Sequence, residues 1–256
     1  LGAIAQGTTQ VLAHSPGEDN RSTVAVLQQL GVQIKEHSLG WEVKGVGLGG
    51  LQSAEGVLDC GNSGTTIRLL TGMLTGAGVV STLTGDHSLC TRPMGRVCMP
   101  LREMGGDVGG IFADGKELAP LRVSRGGFCG GEWRQPVASA QVKSSLLLAG
   151  LMSGQAVRVW EPAISRDHTE RMLRAMGVEV VTEDLDHGWG VTIKGGTPQA
   201  LGRIAVPGDI SSAAFWGAAA LLVADSDITI EQVGLNPTRT GFLDALNILG
   251  YAVELR

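Results

Sequence analysis

Apolar residues recur along the chain with the two periods that distinguish amphipathic helices from half-buried strands. In four segments a polar start leads into a helical pattern, which ends at a Gly and continues as an alternating apolar run. The glycines that close these helical patterns are separated by 74, 72 and 73 residues; they are Gly31, Gly105, Gly177 and Gly250. Such even spacing predicts an internal structural repeat.

The helical pattern is clearest in the second copy of the repeat. Met94, Val97, Leu101 and Met104 fall on one face of a helix with 3.6 residues per turn. Pro93 is predicted at the first helical position, where a missing N–H costs nothing. The Gly after each helix predicts a left-handed C-cap, because Gly adopts a positive φ without strain.

The third copy begins with Asp167 and Glu170, which are predicted to form a capping pair. A second set of helices precedes those of the repeat, at 1–7, 64–76, 140–154 and 211–223. Strands are predicted after them at 9–15, 79–85, 156–162 and 227–233, and between repeats at 41–45, 121–126 and 191–196. The unit is therefore βαβαββ. Several of its helices carry few charges, which predicts a shared inner helical core with the sheets outside.

Three such units fill residues 1–205, and a fourth begins at the Val-Pro-Gly-Asp turn of residues 206–209. We therefore predict an α/β protein with a three-repeat lobe at 1–205 and the first, truncated unit of a second lobe at 206–256. The segment 109–136 is rich in Gly and weakly periodic, so it is interpreted as an irregular surface loop with one strand.

Composition limits the classes of function. The chain has 39 Gly, only 4% aromatic residues and a formal net charge of −5. The acidic excess argues against a general nucleic-acid binder, which neutralises phosphates with basic side chains. The apolar stretch 213–223 is far shorter than the roughly 20 residues that span a bilayer. The cysteines show neither zinc-ligand spacing nor a disulfide framework, which favours reduced thiols in a cytoplasmic protein; they are Cys60, Cys90, Cys98 and Cys129.

Candidate chemistry lies at the starts of the inner helices. The segment 59–68 reads DCGNSGTTIR and places two Gly, an Asn and three hydroxyl groups where a strand meets a helix. Free N–H groups at a helix N-terminus bind anions, and Gly allows a ligand to approach the backbone closely. The alternative is an ordinary capped helix start, since the pattern is neither a Walker loop nor a dinucleotide fingerprint.

The next repeat offers a similar junction at 137–144, again with hydroxyl, amide and amine groups. Here the alternative is that Ser139 is only an N-cap and Lys143 a solvated charge. Arg92 and Arg166 stand at matching places before the other helices, and Arg suits bidentate recognition of phosphate or carboxylate. A single Arg at such a place is usually a solvated charge, but two indicate a site for a substrate with several negative charges.

At these motifs the sequence resembles the bacterial 5-enolpyruvylshikimate-3-phosphate (EPSP) synthase family. The likeness covers essentially the whole chain in order and spacing and rests on the segments 58–70, 83–97, 136–150, 161–173, 206–216 and 236–241. It implies the two-lobed inverse α/β barrel, in which each lobe consists of three βαβαββ units. It also implies a cytoplasmic and usually monomeric enzyme that needs no metal or organic cofactor.

The resemblance implies a reaction between two multiply charged small molecules. The 5-hydroxyl of shikimate 3-phosphate attacks C2 of phosphoenolpyruvate, C3 is protonated, and the tetrahedral intermediate loses phosphate. Transferred by motif, the phosphoenolpyruvate-binding residues are Asn62, Gly64, Thr65, Arg92 and Gln141. The shikimate 3-phosphate-binding residues are Ser139, Ala140, Gln141 and Arg166. Gly64 further implies that the complete enzyme is sensitive to glyphosate, because a methyl group at this position would crowd the inhibitor.

Some family motifs have no counterpart in these residues: the initial Lys-Ser…Arg motif, the acidic catalytic residue, a Lys-Glu-Ser-Asp-Arg stretch and a late Arg. We therefore expect a fragment that lacks both ends, with the catalytic acid outside it and with apolar helix faces left uncovered. Two alternative functions stay open. One is a lobe that binds shikimate 3-phosphate or a partner chain without turnover. The other is a UDP-amino-sugar enolpyruvyl transferase, which typically carries a Cys at the position of His87.

Overall fold

A computed structural model describes residues 1–13, 17–185, 188–251 and 253–255. The chain divides into two compact units, Leu1–Ile204 and Ala205–Arg256. That these units correspond to a three-repeat lobe at 1–205 and a truncated second lobe at 206–256 stays a prediction.

The first unit begins with a 3-10 turn, Gly2–Ile4, where a helix was predicted over 1–7. Its helices are α1 (Glu18–Gln29), α2 (Gly64–Ala77), α3 (His87–Cys90), α4 (Gly95–Glu103), α5 (Ala140–Ser153) and α6 (His168–Ala175). The strands are β1 (Thr8–Leu12), β2 (Gln33–His37), β3 (Gly40–Lys44), β4 (Leu58–Asp59), β5 (Ser81–Thr84), β6 (Val108–Ala113), β7 (Lys116–Val123), β8 (Gly131–Arg134), β9 (Val157–Glu161), β10 (Val180–Leu185), β11 (Gly188–Ile193) and β12 (Gly202–Ala205). The end of the predicted strand 9–15 lies outside the described residues.

The strands form three four-stranded sheets with one shared topology. Their orders are β12-β1-β3-β2, β4-β5-β7-β6 and β8-β9-β11-β10. Strands β4 and β5 pair in parallel, as do β8 and β9, because a helix connects the two members of each pair. Each sheet also contains an antiparallel hairpin. Strand β12 occupies in the first sheet the position that β4 and β8 occupy in the others, so the predicted βαβαββ unit is confirmed.

Helices α2 and α5 form the inner helical core. Eleven of the 14 residues of α5 are buried, and α2 is buried to a similar extent. Glycines permit the two backbones to approach, since a Cβ at Gly72 would lie 2.1 Å from the Ser145 carbonyl oxygen and one at Gly76 would lie 2.2 Å from that of Ala149. The prediction of an inner core is thus confirmed for α2 and α5, whereas α1 buries only Val26.

The predicted helix ends are confirmed. Gly31, Gly105, Gly177 and Gly250 have φ values of 89°, 86°, 80° and 86°, in the left-handed region that a C-cap requires. The predicted apolar face of α4 is also buried, as its four members are each at most 4% exposed. All four cysteines are free in the described structure, and burial raises the pKa of Cys60 and of Cys98 to about 12.

Two local predictions about helix starts are wrong. Helix α4 begins at Gly95, so Pro93 precedes the helix rather than occupying its first position. Asp167 is the N-cap residue of α6 but makes no side-chain capping bond, and Glu170 is not its capping partner. The reason is that the Glu170 side chain is buried and its carboxylate is engaged by a Lys of α5.

The prediction of an irregular loop at 109–136 is also wrong, because β6, β7 and β8 all lie in or at the edge of this segment. The pairing of β6 with β7 shifts register between Gly109 and Ile111. Such a bulge breaks the alternation of apolar and polar positions from which strands are predicted.

The second unit contains α7 (Ile210–Leu222) and α8 (Gly241–Ile248). The strand predicted over 227–233 is absent from the described residues, where Val233 makes only an isolated bridge with Gly208. A strand requires a ladder of hydrogen bonds to a neighbour, and the described part of this unit offers none. The strand predicted after Gly250 falls partly on Ala252, outside the described residues. Several large apolar side chains of α7 are exposed, including Phe215, Trp216 and Leu222.

Candidate functional site

The site begins with two capped helix starts. The Ser63 hydroxyl accepts a hydrogen bond of 3.2 Å from the Thr66 backbone N–H and caps α2. The Ser139 hydroxyl accepts one of 3.5 Å from the Val142 N–H and caps α5. The remaining first-turn N–H groups of both helices lack carbonyl partners within the helix, so each start favours negative charge.

Gln141 joins the two helix starts. Its amide Nε2 donates to Thr65 Oγ1 at 3.0 Å, and its Oε1 accepts from Arg68 Nη1 at 2.9 Å. Arg68 also donates to the Pro93 carbonyl oxygen at 3.4 Å, which links α2 to the segment before α4. The structure therefore brings together the predicted residues Thr65 and Gln141, which lie 76 positions apart, around an Arg that the prediction missed.

Asn62 and Arg92 form the second half of the site. Arg92 Nη2 donates to Asn62 Oδ1 and, at 3.4 Å, to Ser88 Oγ. Asn62 Nδ2 donates in turn to Asp86 Oδ2 at 2.7 Å. The hydrogen bonds from Asn62 and from the Leu89 backbone N–H, together with the nearby Arg92, hold the pKa of Asp86 below its usual value.

Gly64 lies between these two halves. A Cβ at this position would be 2.9 Å from Arg68 Nη1 and 3.2 Å from Arg92 Nη1. Both guanidinium groups therefore lie close to Gly64, the first residue of α2, which is itself buried. Any side chain larger than that of Gly would compete with them for this space.

The charges at the site are unbalanced. Arg68 is only 6% exposed, and its burial, together with the positive charges of Arg96 and Arg92, lowers its pKa to about 10. Within the described residues, neither Arg68 nor Arg92 forms an ion pair with a carboxylate, and Arg68 Nε is buried without a hydrogen-bond partner. A buried cation without a counter-charge is costly, so the site is suited to an anionic ligand.

The remaining predicted residues are more dispersed. Ser139 and Ala140 adjoin Gln141 at the half-buried start of α5. Arg166 is exposed between β9 and α6, and it makes no hydrogen bond or ion pair within the described part of the chain. The structure thus joins Asn62, Gly64, Thr65, Arg92 and Gln141 around Arg68, places Ser139 and Ala140 beside them in the chain, and leaves Arg166 apart.

The interpretation of Lys143 as a solvated charge is wrong. Lys143 is completely buried, and its Nζ lies 2.6 Å from Glu161 Oε2 and 2.7 Å from Glu170 Oε1. The sequence carries a signal for this cluster, since Lys143 is the only charged residue of an otherwise uncharged helix. A cation in such a helix requires a buried carboxylate partner.

A family model for EPSP synthase (3-phosphoshikimate 1-carboxyvinyltransferase) matches residues 1–253. The chain belongs to the EPSP synthase family. The resemblance seen in the sequence motifs is thereby confirmed, and with it the membership in a family of transferases.

Curated members of the EPSP synthase family are similar over the whole chain. The 3-phosphoshikimate 1-carboxyvinyltransferase of Synechococcus sp. (strain RCC307) is 50% identical over 259 residues, covering 100% of this chain and 59% of the relative. That of Geobacter sulfurreducens is 48% identical over 255 residues, covering 100% of this chain and 58% of the relative. The chain thus spans less than two thirds of the length of these relatives.

Solved structures of the EPSP synthase family confirm the fold class. The EPSP synthase from Acinetobacter baumannii superposes with a TM-score of 0.85 at 41% identity, covering 97% of this chain and 56% of that chain. The described sheets are separate and four-stranded, as expected for the α/β architecture of this family, and they close no barrel in the part of the chain described here. The described residues contain no helix long and apolar enough to cross a membrane.

Proposed function

We propose that the chain serves the transfer of the enolpyruvyl group of phosphoenolpyruvate to the 5-hydroxyl of shikimate 3-phosphate. The observation that carries the proposal is the pair of guanidinium groups, Arg68 and Arg92, that approach Gly64 at the start of α2 and form no ion pair with a carboxylate of the described residues. Membership in the EPSP synthase family gives this anion site a substrate class.

Phosphoenolpyruvate is assigned to the Gly64 side of the site. Arg92 and Arg68 would neutralise its phosphate or carboxylate, and Gln141 and Thr65 would donate to the remaining oxygens. Asn62 acts through Arg92, because its carbonyl oxygen accepts from that guanidinium group and fixes its direction. The absence of a β-carbon at Gly64 lets both cations approach the start of α2.

Shikimate 3-phosphate is assigned to the start of α5. The free N–H groups there, with the Ser139 hydroxyl and the Gln141 amide, supply donors for a phosphate or a hydroxyl. Arg166 is a further cation for this substrate. It is exposed in this structure, so the proposal requires its side chain to turn toward the bound anion.

The bonds in the reaction balance without a cofactor. The 5-hydroxyl oxygen bonds to C2 of phosphoenolpyruvate and loses its proton while C3 gains a proton. The C2–O bond to phosphate then breaks while C3 loses a proton, which restores the double bond, and the released phosphate takes up one proton. The residues of this chain hold the two anions in contact and stabilise the charge that develops on the departing phosphate. For the whole enzyme, the proposal further includes a cytoplasmic monomer that uses neither metal nor organic cofactor, as the family resemblance implies.

Calorimetric titration and a phosphate-release assay test the proposal. Shikimate 3-phosphate titrated into the full chain should give a binding heat, and phosphoenolpyruvate added afterwards should bind more tightly than it does alone. The phosphate-release assay is repeated with the complementary C-terminal segment added. Heat without phosphate release in that mixture would favour the second candidate, a lobe that binds substrate without turnover. Absence of heat with shikimate 3-phosphate, together with heat from a UDP-amino sugar, would favour the other enolpyruvyl transferase.

A further inference from the structure

A buried ion cluster lies beneath the start of α5, separate from the predicted ligand contacts. It consists of Lys143, Glu161 and Glu170, whose side chains are 0%, 0% and 1% exposed. Three buried charges cost more desolvation free energy than an apolar trio of the same size. Stability alone therefore does not account for the cluster.

The cluster connects the segments on either side of the proposed shikimate 3-phosphate subsite. Glu161 Oε1 accepts hydrogen bonds from Ser165 Oγ and, at 3.4 Å, from Gln135 Nε2. Gln135 lies in the connection between β8 and α5 that leads to Ser139, and Ser165 directly precedes Arg166. One carboxylate thus holds the β8–α5 connection, α5 itself and the β9–α6 connection.

A second contact joins the same elements. Ser144 Oγ of α5 lies 2.7 Å from Thr169 Oγ1 of α6, beside the Lys143–Glu170 pair. Helix α6 buries Glu170 and Leu173. Polar contacts at its first turn therefore act together with the apolar packing of Leu173 in setting the position of α6 and of the connection that leads into it.

We propose that Lys143 and Glu161 are positioning residues, which hold the Ser139–Gln141 turn and the Arg166 segment at the separation that shikimate 3-phosphate requires. The inference rests on the proposed function, because it concerns the same subsite. Directional ion pairs fix two segments more narrowly than apolar contacts do, and a displacement of about 1 Å in a binding group is sufficient to lower activity by about 100-fold.

The decisive variant replaces all three charges with Met (Lys143→Met, Glu161→Met and Glu170→Met) in the full chain. Apolar replacement of a buried ion cluster is often neutral or stabilising, so the unfolding temperature should not fall. The affinity for shikimate 3-phosphate, measured by calorimetry, should nevertheless fall by about tenfold or more. An unchanged affinity would overturn the inference, since a merely structural cluster is replaceable without loss of binding.

A single variant keeps the test decisive if the triple variant does not fold. Glu161→Gln retains an oxygen for Ser165 and Gln135 and leaves Lys143 paired with Glu170, so folding should be preserved. Its affinity for shikimate 3-phosphate should fall by about threefold or more, because the Lys143–Glu161 ion pair is lost. Equal affinity of this folded variant and the parent would overturn the inference.

The control is an ion pair outside the site in which the carboxylate is buried and the guanidinium group is partly exposed. Arg102 Nη1 lies 2.6 Å from Glu117 Oε1 and joins α4 to β7. The double variant Arg102→Met and Glu117→Met should bind shikimate 3-phosphate as the parent does; an equal loss in this control would overturn the inference. If the parent itself gives no binding heat, the proposed function fails and the inference fails with it. Equal affinity of the parent and the triple variant overturns the inference alone.

Discussion

Helices α5 and α7 have similar compositions and different surroundings. Each follows a side-chain cap, Ser139 in α5 and Asp209 in α7, and each consists mainly of Ala, Leu and other uncharged residues. Eleven of the 14 residues of α5 are buried, but only Ile210 and Ala213 are buried among the 13 residues of α7. An apolar composition therefore indicates that a helix has surface to bury, but the neighbouring elements determine whether that surface is buried. Helix α5 is covered by α2.

The two helix starts differ in the same way. At α7, Arg239 donates to the Ser211 hydroxyl and lies 3.4 Å from the Asp209 carboxylate, which balances its charge. At α5, Gln141 meets the start of α2, where Arg68 has no carboxylate partner among the described residues. A capped helix start with a nearby Arg is thus common to both places. What distinguishes the candidate site is that two helix starts meet and that the described residues provide no ion-pair partner for Arg68 or Arg92.

The largest expected effect concerns the buried charge of α5. Lys143→Met leaves two buried carboxylates without a counter-charge, so the free energy of unfolding should fall by about 3–5 kcal/mol. Denaturant unfolding measures this change. In the second unit, Arg239→Met breaks a partly exposed pair and should cost at most about 1 kcal/mol. Similar losses for the two variants would contradict the contrast between the helices.

A pair of Leu-to-Ala substitutions compares the cover of the two helices directly. Leu147 is 0% exposed and Leu222 is 86% exposed. Leu147→Ala should lower the free energy of unfolding by about 2–5 kcal/mol, because it creates a cavity in the core. Leu222→Ala should change it by no more than about 0.5 kcal/mol. A large loss at Leu222 would show that α7 is covered in solution.

Gly64→Ala tests the close approach of the two guanidinium groups. The added methyl group would lie 2.9 Å from Arg68 Nη1, so Arg68 and Arg92 must move away. We expect the affinity for phosphoenolpyruvate to fall by about tenfold, equivalent to about 1.4 kcal/mol, and inhibition by glyphosate to weaken. The control is Gly241→Ala at the first position of α8, where a Cβ meets nothing within 4 Å. Equal affinities in Gly64→Ala and parent would contradict the site geometry.

The exposed face of α7 should bind an apolar dye. Phe215 is 79% exposed and Trp216 is 69% exposed on one short stretch of helix. Exposed apolar patches promote association, so the parent should enhance the fluorescence of an apolar dye and self-associate in sedimentation experiments. The variant Phe215→Ser with Trp216→Ser should reduce both effects. A monodisperse parent without dye enhancement would contradict this expectation.

The smallest expected effect is the acid dependence of the helix caps. Burial opposes the shift at Asp209, but hydrogen bonds from Ser211 and Ser212 and the nearby Arg239 lower its pKa overall. A carboxyl group with a lowered pKa stabilises the folded state above its unfolded pKa, about 3.9, and this contribution is lost as the pH falls through the folded pKa. Asp209→Asn should therefore flatten the decline of the unfolding temperature below about pH 4. An equally steep decline of the unfolding temperature in Asp209→Asn and the parent would contradict the stabilising role of the Asp209 carboxylate.

Local periodicity was sufficient to predict most helices and the repeat of this fold. The glycine C-caps and the apolar face of α4 follow from spacing alone, because both depend on residues within a few turns. The strands of 109–136 did not follow, since the bulge between Gly109 and Ile111 hides their alternation. The absence of a strand over 227–233 in the described structure could not be predicted either, because strand formation depends on a partner elsewhere in the chain.

The candidate site was predictable only in part. The N-termini of α2 and α5, at Gly64 and Ser139, carry recognisable motifs. The hydrogen bonds of Gln141 to Thr65 and Arg68, however, join residues more than 70 positions apart. Arg68 itself looks like an ordinary helix residue, and only its burial and its unpaired Nε mark it as part of the site. The partners of Lys143 likewise depend on packing between α5, β9 and α6.

The central claim is that the meeting of the α2 and α5 starts forms the anion site of the chain. Its most direct test is a calorimetric titration of phosphoenolpyruvate, with shikimate 3-phosphate present, into the parent, Arg68→Met and Arg239→Met. The account predicts binding by the parent and by Arg239→Met, with the affinity of Arg68→Met lower by about tenfold or more. Absence of binding by the parent, or equal affinities for Arg68→Met and the parent, would contradict it.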